Sequence, residues 1–139
     1  MITVDDYLMN RKSGLTFELL ENEINTVENV NKLLDAFGSQ RKVTSGYRPA
    51  SVNAAIPNAA KKSNHMLCKA CDLEDVDGKL DKWCMDNLHV LTEIGLWLEH
   101  PSATKTWCHI QIVPPNSGKI IVEVGNKLKL EPVAAFCTV

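Results

Sequence analysis

No apolar run in this 139-residue chain is long enough to cross a bilayer, so a helical membrane span is not expected. An excess of charge of either sign is also missing. Fifteen Lys and Arg face seventeen Asp and Glu, for a formal net charge of −2. Without a basic field to meet phosphates, nucleic acid is a poor expectation for a partner. The stretch from Met1 to Gly14 shows no basic start followed by an apolar segment. No signal peptide is therefore predicted, and the protein is expected to be made and at first kept in a cytoplasm. Internal repeats, low-complexity tracts and a Gly-rich phosphate loop are absent. No Ser-His-Asp or Cys-His constellation stands out, and neither Cys71 nor Cys108 reads as a nucleophile.

Paired cysteines are lacking too. The five, Cys68, Cys71, Cys84, Cys108 and Cys137, are odd in number, and without a signal peptide they argue against a disulfide framework. Most are expected to be reduced thiols in or near the core. Cys68-x-x-Cys71 could help bind a metal, but no second close pair accompanies it. A four-cysteine zinc site is the weaker reading.

What is present is ordinary globular material: 45% hydrophobic and 23% charged residues. One domain spanning 1–139 is expected, with a real core. Thr16 to Phe37 reads as a helix with Leu20, Ile24, Val27, Leu34 and Phe37 as its apolar stripe and Gly38 as its stop. Glu18, Glu21, Glu23 and Glu28 are expected on a solvated face. Arg41 to Ser45 reads as a short strand, and Pro49 to Ser63 as a long loop with room for a helical turn. Ala70 to Leu73 is a candidate buried strand and Asp75 to Gly78 a turn. Lys79 to Ile94 is a second helix ending at Gly95, and Leu96 to Glu99 a strand. In Trp107 to Val113 the alternation puts Trp107, His109 and Gln111 on one face and Cys108, Ile110 and Ile112 on the other. A turn at Pro114 to Gly118, a strand at Lys119 to Val124 and an apolar tail able to dock complete the chain. This order of helices and short strands predicts an α+β domain.

Four histidines are available. His89 falls on a helix surface and His100 in a loop beside Pro101. His65 lies at the end of a loop, seven residues before Asp72 on the following strand. A neutral imidazole and a carboxylate suit zinc, and a loop can fold back to bring them together. Two ligands bind weakly, and His109, projecting from its strand beside Gln111, is the best third. Two histidines and one carboxylate leave a coordination position open, as in catalytic zinc sites.

On these residues the chain resembles the zinc D-Ala-D-Ala carboxypeptidases. Their relatives include D-Ala-D-Ala dipeptidases, phage L-alanyl-D-glutamate endolysins and the hedgehog signalling domain. Ser63, His65, Ala70 and Asp72 match the motif Ser-x-His-x-x-Gly-x-Ala-x-Asp, with Cys68 in place of its glycine. Thr44-Ser45-Gly46-Tyr47-Arg48-Pro49 matches a Ser-Gly-Tyr-Arg stretch, with Asn53 just beyond. Trp107-Cys108-His109 matches a Trp-x-His segment. The matches run in family order from roughly Leu15 to Gly118, and the closest likeness is to short stand-alone phage and bacterial members. Many relatives carry a glutamate three residues before the last histidine. Thr106 stands there, and Glu99 is the nearest upstream carboxylate.

The resemblance implies a hedgehog/DD-peptidase-like fold: a small antiparallel sheet with helices packed on one side. It implies a monomeric metallopeptidase holding Zn2+ on His65, Asp72 and His109. Its substrates would be peptidoglycan stem peptides or their D-amino-acid-containing precursors. Glu99 would be the base. Arg48 would bind the substrate carboxylate or polarise the scissile carbonyl, and Ser63 and Asn53 would orient substrate or hold a ligand. Such a protein would reach the cell wall after host lysis or as part of a phage particle. An inactive metal-bearing binding or phage structural module of the same fold is the alternative.

Overall fold

The structure, a computed structural model, describes residues 1–57, 59 and 61–114, together with the backbone of the strands at 121–124 and 128–131. The expected turn beyond Pro114, the start of the strand expected from Lys119, the tail after Glu131 and Cys137 lie outside the described residues.

Among the described residues, five helices and six strands follow in chain order: α1 (Val4–Leu8), α2 (Phe17–Phe37), β1 (Val43–Ser45), α3 (Ala50–Ala55), β2 (Ala70–Glu74), α4 (Lys79–Asp86), α5 (Leu88–Ile94), β3 (Trp97–Glu99), β4 (Trp107–Gln111), β5 (Ile121–Val124) and β6 (Leu128–Glu131). Short 3-10 turns occupy Asn64–Leu67 and Pro101–Ala103. The strands form one antiparallel sheet in the order β1-β2-β4-β3-β5-β6. The fold is thus the expected α+β arrangement.

Strand alternation divides the sheet into two chemically different faces. Cys71, Leu73, Leu98, Cys108 and Ile110 point one way and are fully buried in a single core with residues of α2, α4 and α5. Ala70, Asp72, His109 and Gln111 point the other way.

Local signals set the element ends. The Thr16 side chain accepts from the Leu19 amide at the start of α2, and Gly38 closes it at φ 88°, a left-handed conformation that suits glycine. α1, which sequence patterning did not reveal, starts with a capping box between Thr3 and Asp6. The Asp75 carboxylate accepts from the amides of both Leu80 and Asp81 and so satisfies the first turn of α4.

Two expectations are corrected. The buried face of α2 runs through Glu23, Thr26, Val27, Val30, Leu33 and Leu34, while Leu20 and Ile24 are exposed. Glu23, expected in solvent, is only 2% exposed. The polar members of this stripe can be buried because some find partners: the Thr26 hydroxyl donates to the Cys68 carbonyl at 2.7 Å. The helix expected over Lys79 to Ile94 is two helices, broken at Asn87 (φ −132°, ψ 40°). There the Asn87 side chain donates to the Trp83 carbonyl, an Asn alternative to continuing the helix.

Asp81, in the first turn of α4, is buried, and one of its oxygens has no hydrogen-bond partner among the described residues. Burial raises its pKa to about 6; the Asp75 and Glu99 charges add to this, against hydrogen bonds from Cys108 and Thr104. The folded state therefore holds the Asp81 proton more tightly than the unfolded chain. Its contribution to stability is full below the unfolded pKa of about 4 and is lost as pH rises through about 6. Asp81→Asn is expected to stabilise the fold by about 2 kcal/mol at pH 7.5 and hardly at all at pH 4. Urea melts at the two pH values check this, and an equal effect at both would contradict it.

Candidate metal centre

The sheet's second face gathers the residues singled out by the sequence. Ser45 lies opposite Asp72, and Asp72 lies opposite His109. Trp97 lies opposite Gln111, and by strand alternation Glu99, two residues along β3, shares the face of Trp97, Gln111 and His109. His65 comes from outside the sheet, on the 3-10 turn that follows Ser63. The Ser63 hydroxyl accepts from the His65 amide at 3.1 Å and caps that turn.

His65, Asp72 and His109 are all buried and offer ligand atoms within 4.8 Å of one another. Each imidazole has one nitrogen committed elsewhere. His65 Nδ1 lies 2.8 Å from the Gly46 carbonyl, and its Nε2 lies 3.3 Å from Asp72 Oδ2. His109 Nε2 lies 2.8 Å from Gln111 Oε1, and its Nδ1 lies 2.7 Å from Asp72 Oδ1. Both remaining nitrogens therefore face the same carboxylate. Metal-binding histidines commonly have their second nitrogen held in this way, and a His2Asp donor set suits zinc. The residues present fit that ion.

Electrostatics follow from the geometry. Burial pushes the Asp72 pKa up, but the two facing imidazoles outweigh it and hold the carboxyl well below its usual range. Burial lowers the His65 pKa, and the Asp72 charge only partly offsets this. For His109 the balance reverses. Burial again lowers the pKa, but Asp72, Glu99 and the Gln111 bond together raise it. Of the two rings, His109 keeps its proton to higher pH.

Arg48 closes the cluster from the β1 side. Its Nε donates to Ser45 Oγ at 2.9 Å, and Nη1 and Nη2 donate at 3.4 Å to Asn53 Oδ1 and Asp72 Oδ2. The Arg48 amide donates to the His65 carbonyl. Ser63 and Asn53, read from sequence as substrate or ligand contacts, have polar atoms on His65 and Arg48 in this structure. Gly46 is fixed by space: a Cβ there would lie 1.9 Å from the Tyr7 carbonyl of α1. That close approach brings the Gly46 carbonyl to His65. His89 is exposed on α5, and the His100 ring caps the second 3-10 turn through Ser102. Neither joins the site. A surface cavity of about 890 Å³ lies elsewhere, beside Met1, Lys42, Val43 and Glu74, and shares none of these groups.

The cysteines take no part among the described residues. Cys68, Cys71, Cys84 and Cys108 are free and fully buried in the core. Burial, then the charge of Glu23, pushes the Cys68 thiol up to about 12, which keeps it protonated.

The profile of the peptidase M15 family matches residues 6–110, which include all three converging residues. The chain belongs to the peptidase M15 family. No curated protein and no solved structure matches it. M15 peptidases are zinc-dependent, and the His-Asp-His group is where a metal could bind in this member. Gln111, Ser45 and Gly46 are the parts of the site that sequence reasoning did not assign. For Gln111 the available signal was its i, i+2 spacing from His109 on one strand.

Cys68, standing where the resembled motif has glycine, adopts a left-handed backbone at φ 56° and ψ 32°. A left-handed conformation costs an L-residue roughly 1–2 kcal/mol, which glycine avoids. Cys68→Gly is therefore expected to be about 1 kcal/mol more stable than Cys68→Ala, reversing the usual order of the two residues. Denaturant melts of the two variants test it. An alanine variant at least as stable as the glycine one would show that Cys68 is unstrained.

Proposed function

We propose that this single domain is a monomeric zinc peptidase that hydrolyses peptide bonds in peptidoglycan stem peptides or their D-amino-acid-containing precursors. The convergence of His65, Asp72 and His109 in a peptidase M15 chain carries the reading. The substrate class rests on the resemblance of the three motif segments. His65 would offer Nε2 and His109 Nδ1, the nitrogens not held by Gly46 and Gln111. A zinc ion bound there supplies a lowered pKa for water and a Lewis acid for the carbonyl.

The chain's own groups do the rest. Glu99, buried on the same face as His109, takes a proton from the attacking water and returns it to the leaving amine. Its charge is felt at His109, which supports its nearness to the reacting centre. Thr106 sits exposed in the position of the commoner family glutamate, and its hydroxyl cannot serve as a base near neutral pH. Arg48 has three of its N–H groups anchored on Ser45, Asn53 and Asp72. A guanidinium has five, so two have no acceptor among the described residues and would serve a substrate carboxylate or the developing oxyanion.

Two measurements test the proposal. Purified protein should hold one zinc, and His65→Ala and His109→Ala should each lose it. Elemental analysis showing full occupancy in both variants would remove the metal assignment. Glu99→Gln should keep zinc but lose at least about 100-fold in kcat on peptidoglycan peptides. Mass spectrometry of the released fragments reads the turnover and identifies the bond cut. A zinc-loaded wild type that releases no fragments would favour a binding module instead.

A further inference from the structure

Gln111 lies two residues beyond His109 on β4 and is buried on the same face. Its amide orientation follows from its second partner. Gln111 Nε2 donates to the Val113 carbonyl at 2.9 Å, and a carbonyl can only accept. The Oε1 end must therefore face His109, where it lies 2.8 Å from Nε2. An amide oxygen cannot donate, so His109 Nε2 has to carry the hydrogen. The cross-strand neighbours of Gln111 are Ala70, which has no polar side chain, and Trp97, whose indole can donate but not accept. Neither could take over the acceptor role.

This bond opposes a competing pull. The Asp72 carboxylate lies 2.7 Å from His109 Nδ1 and draws a hydrogen onto that nitrogen. A ring protonated only at Nδ1 would present its lone pair away from Asp72 and His65. A ring held as the Nε2–H tautomer leaves Nδ1 as its lone-pair donor, directed at the shared carboxylate. Resting on the metal-centre reading above, we infer that Gln111 is a positioning residue that fixes His109 in the Nε2–H tautomer and makes Nδ1 its metal-binding atom. The Val113 carbonyl acts one step further out by fixing the Gln111 amide.

The test compares Gln111→Met, which removes the acceptor at similar volume, with Gln111→Glu, which keeps one. Zinc affinity is measured by chelator competition, and the His109 ring is read by nitrogen-15 NMR in protein labelled at histidine. Wild type and Gln111→Glu should show a protonated Nε2 with Nδ1 bound to zinc. Gln111→Met should lose roughly 10–100-fold in zinc affinity, the usual scale for a residue behind a metal ligand, and lose the slowly exchanging Nε2–H signal. The inference is overturned if Gln111→Met binds zinc as tightly as wild type with Nε2 still protonated. It is equally overturned if Gln111→Glu is as weak as Gln111→Met, since packing alone would then explain both. His109→Ala separates the two levels. If it keeps zinc, the metal centre itself is misassigned; if it loses zinc while Gln111→Met does not, only the role of Gln111 fails.

Discussion

The Asp72 carboxylate is the group around which the rest of the site is arranged. A buried carboxylate is costly unless several partners face it, and Asp72 has three among the described residues: His65, His109 and Arg48. Each arrives from a different part of the chain. His65 comes from a 3-10 turn, His109 from the neighbouring strand, and Arg48 from the loop after β1. Meeting that one charge therefore ties three segments together, and each partner is fixed in turn by Gly46, Gln111 or Ser45.

Two requirements meet on β2 and β4. One face of these strands must be apolar enough to hold α2, α4 and α5, and Cys71, Leu73, Cys108 and Ile110 supply it. The opposite face must be polar and closely spaced, and Asp72 and His109 supply that. Because side chains alternate along a strand, both demands are met by neighbouring residues without compromise. The buried cysteines fit the same logic. They behave as small apolar groups on the packed face, although Cys71 and Cys108 adjoin Asp72 and His109 in sequence.

Much of this was legible in the sequence because it depends on local spacing. The period of Trp107 to Gln111 put His109 and Gln111 on one face. Gly38 and Gly95 marked helix ends, and the motif from Ser63 to Asp72 identified two of the three converging residues. Where expectation and structure part, a longer-range partner decides. Glu23 looked like a solvated residue of α2, and Ile24 like a buried one. The helix docks with Glu23 inward, and nothing within α2 alone fixes that rotation. Lys79 to Ile94 carries one continuous apolar stripe, so only the side-chain bond of Asn87 to the Trp83 carbonyl reveals the break.

By itself the sequence determined the α+β class, the two-faced strands and which His and Asp residues converge, since periodicity and residue chemistry are properties of short segments. Only the tertiary structure decided which nitrogen of each histidine is committed elsewhere. That choice depends on the Gly46 carbonyl, set by the close passage of α1, and on the Gln111 amide, set by Val113. It also decided that β3 lies beside β4 with Trp97 opposite Gln111, because strand register comes from pairing across the sheet and not from the strand's own residues.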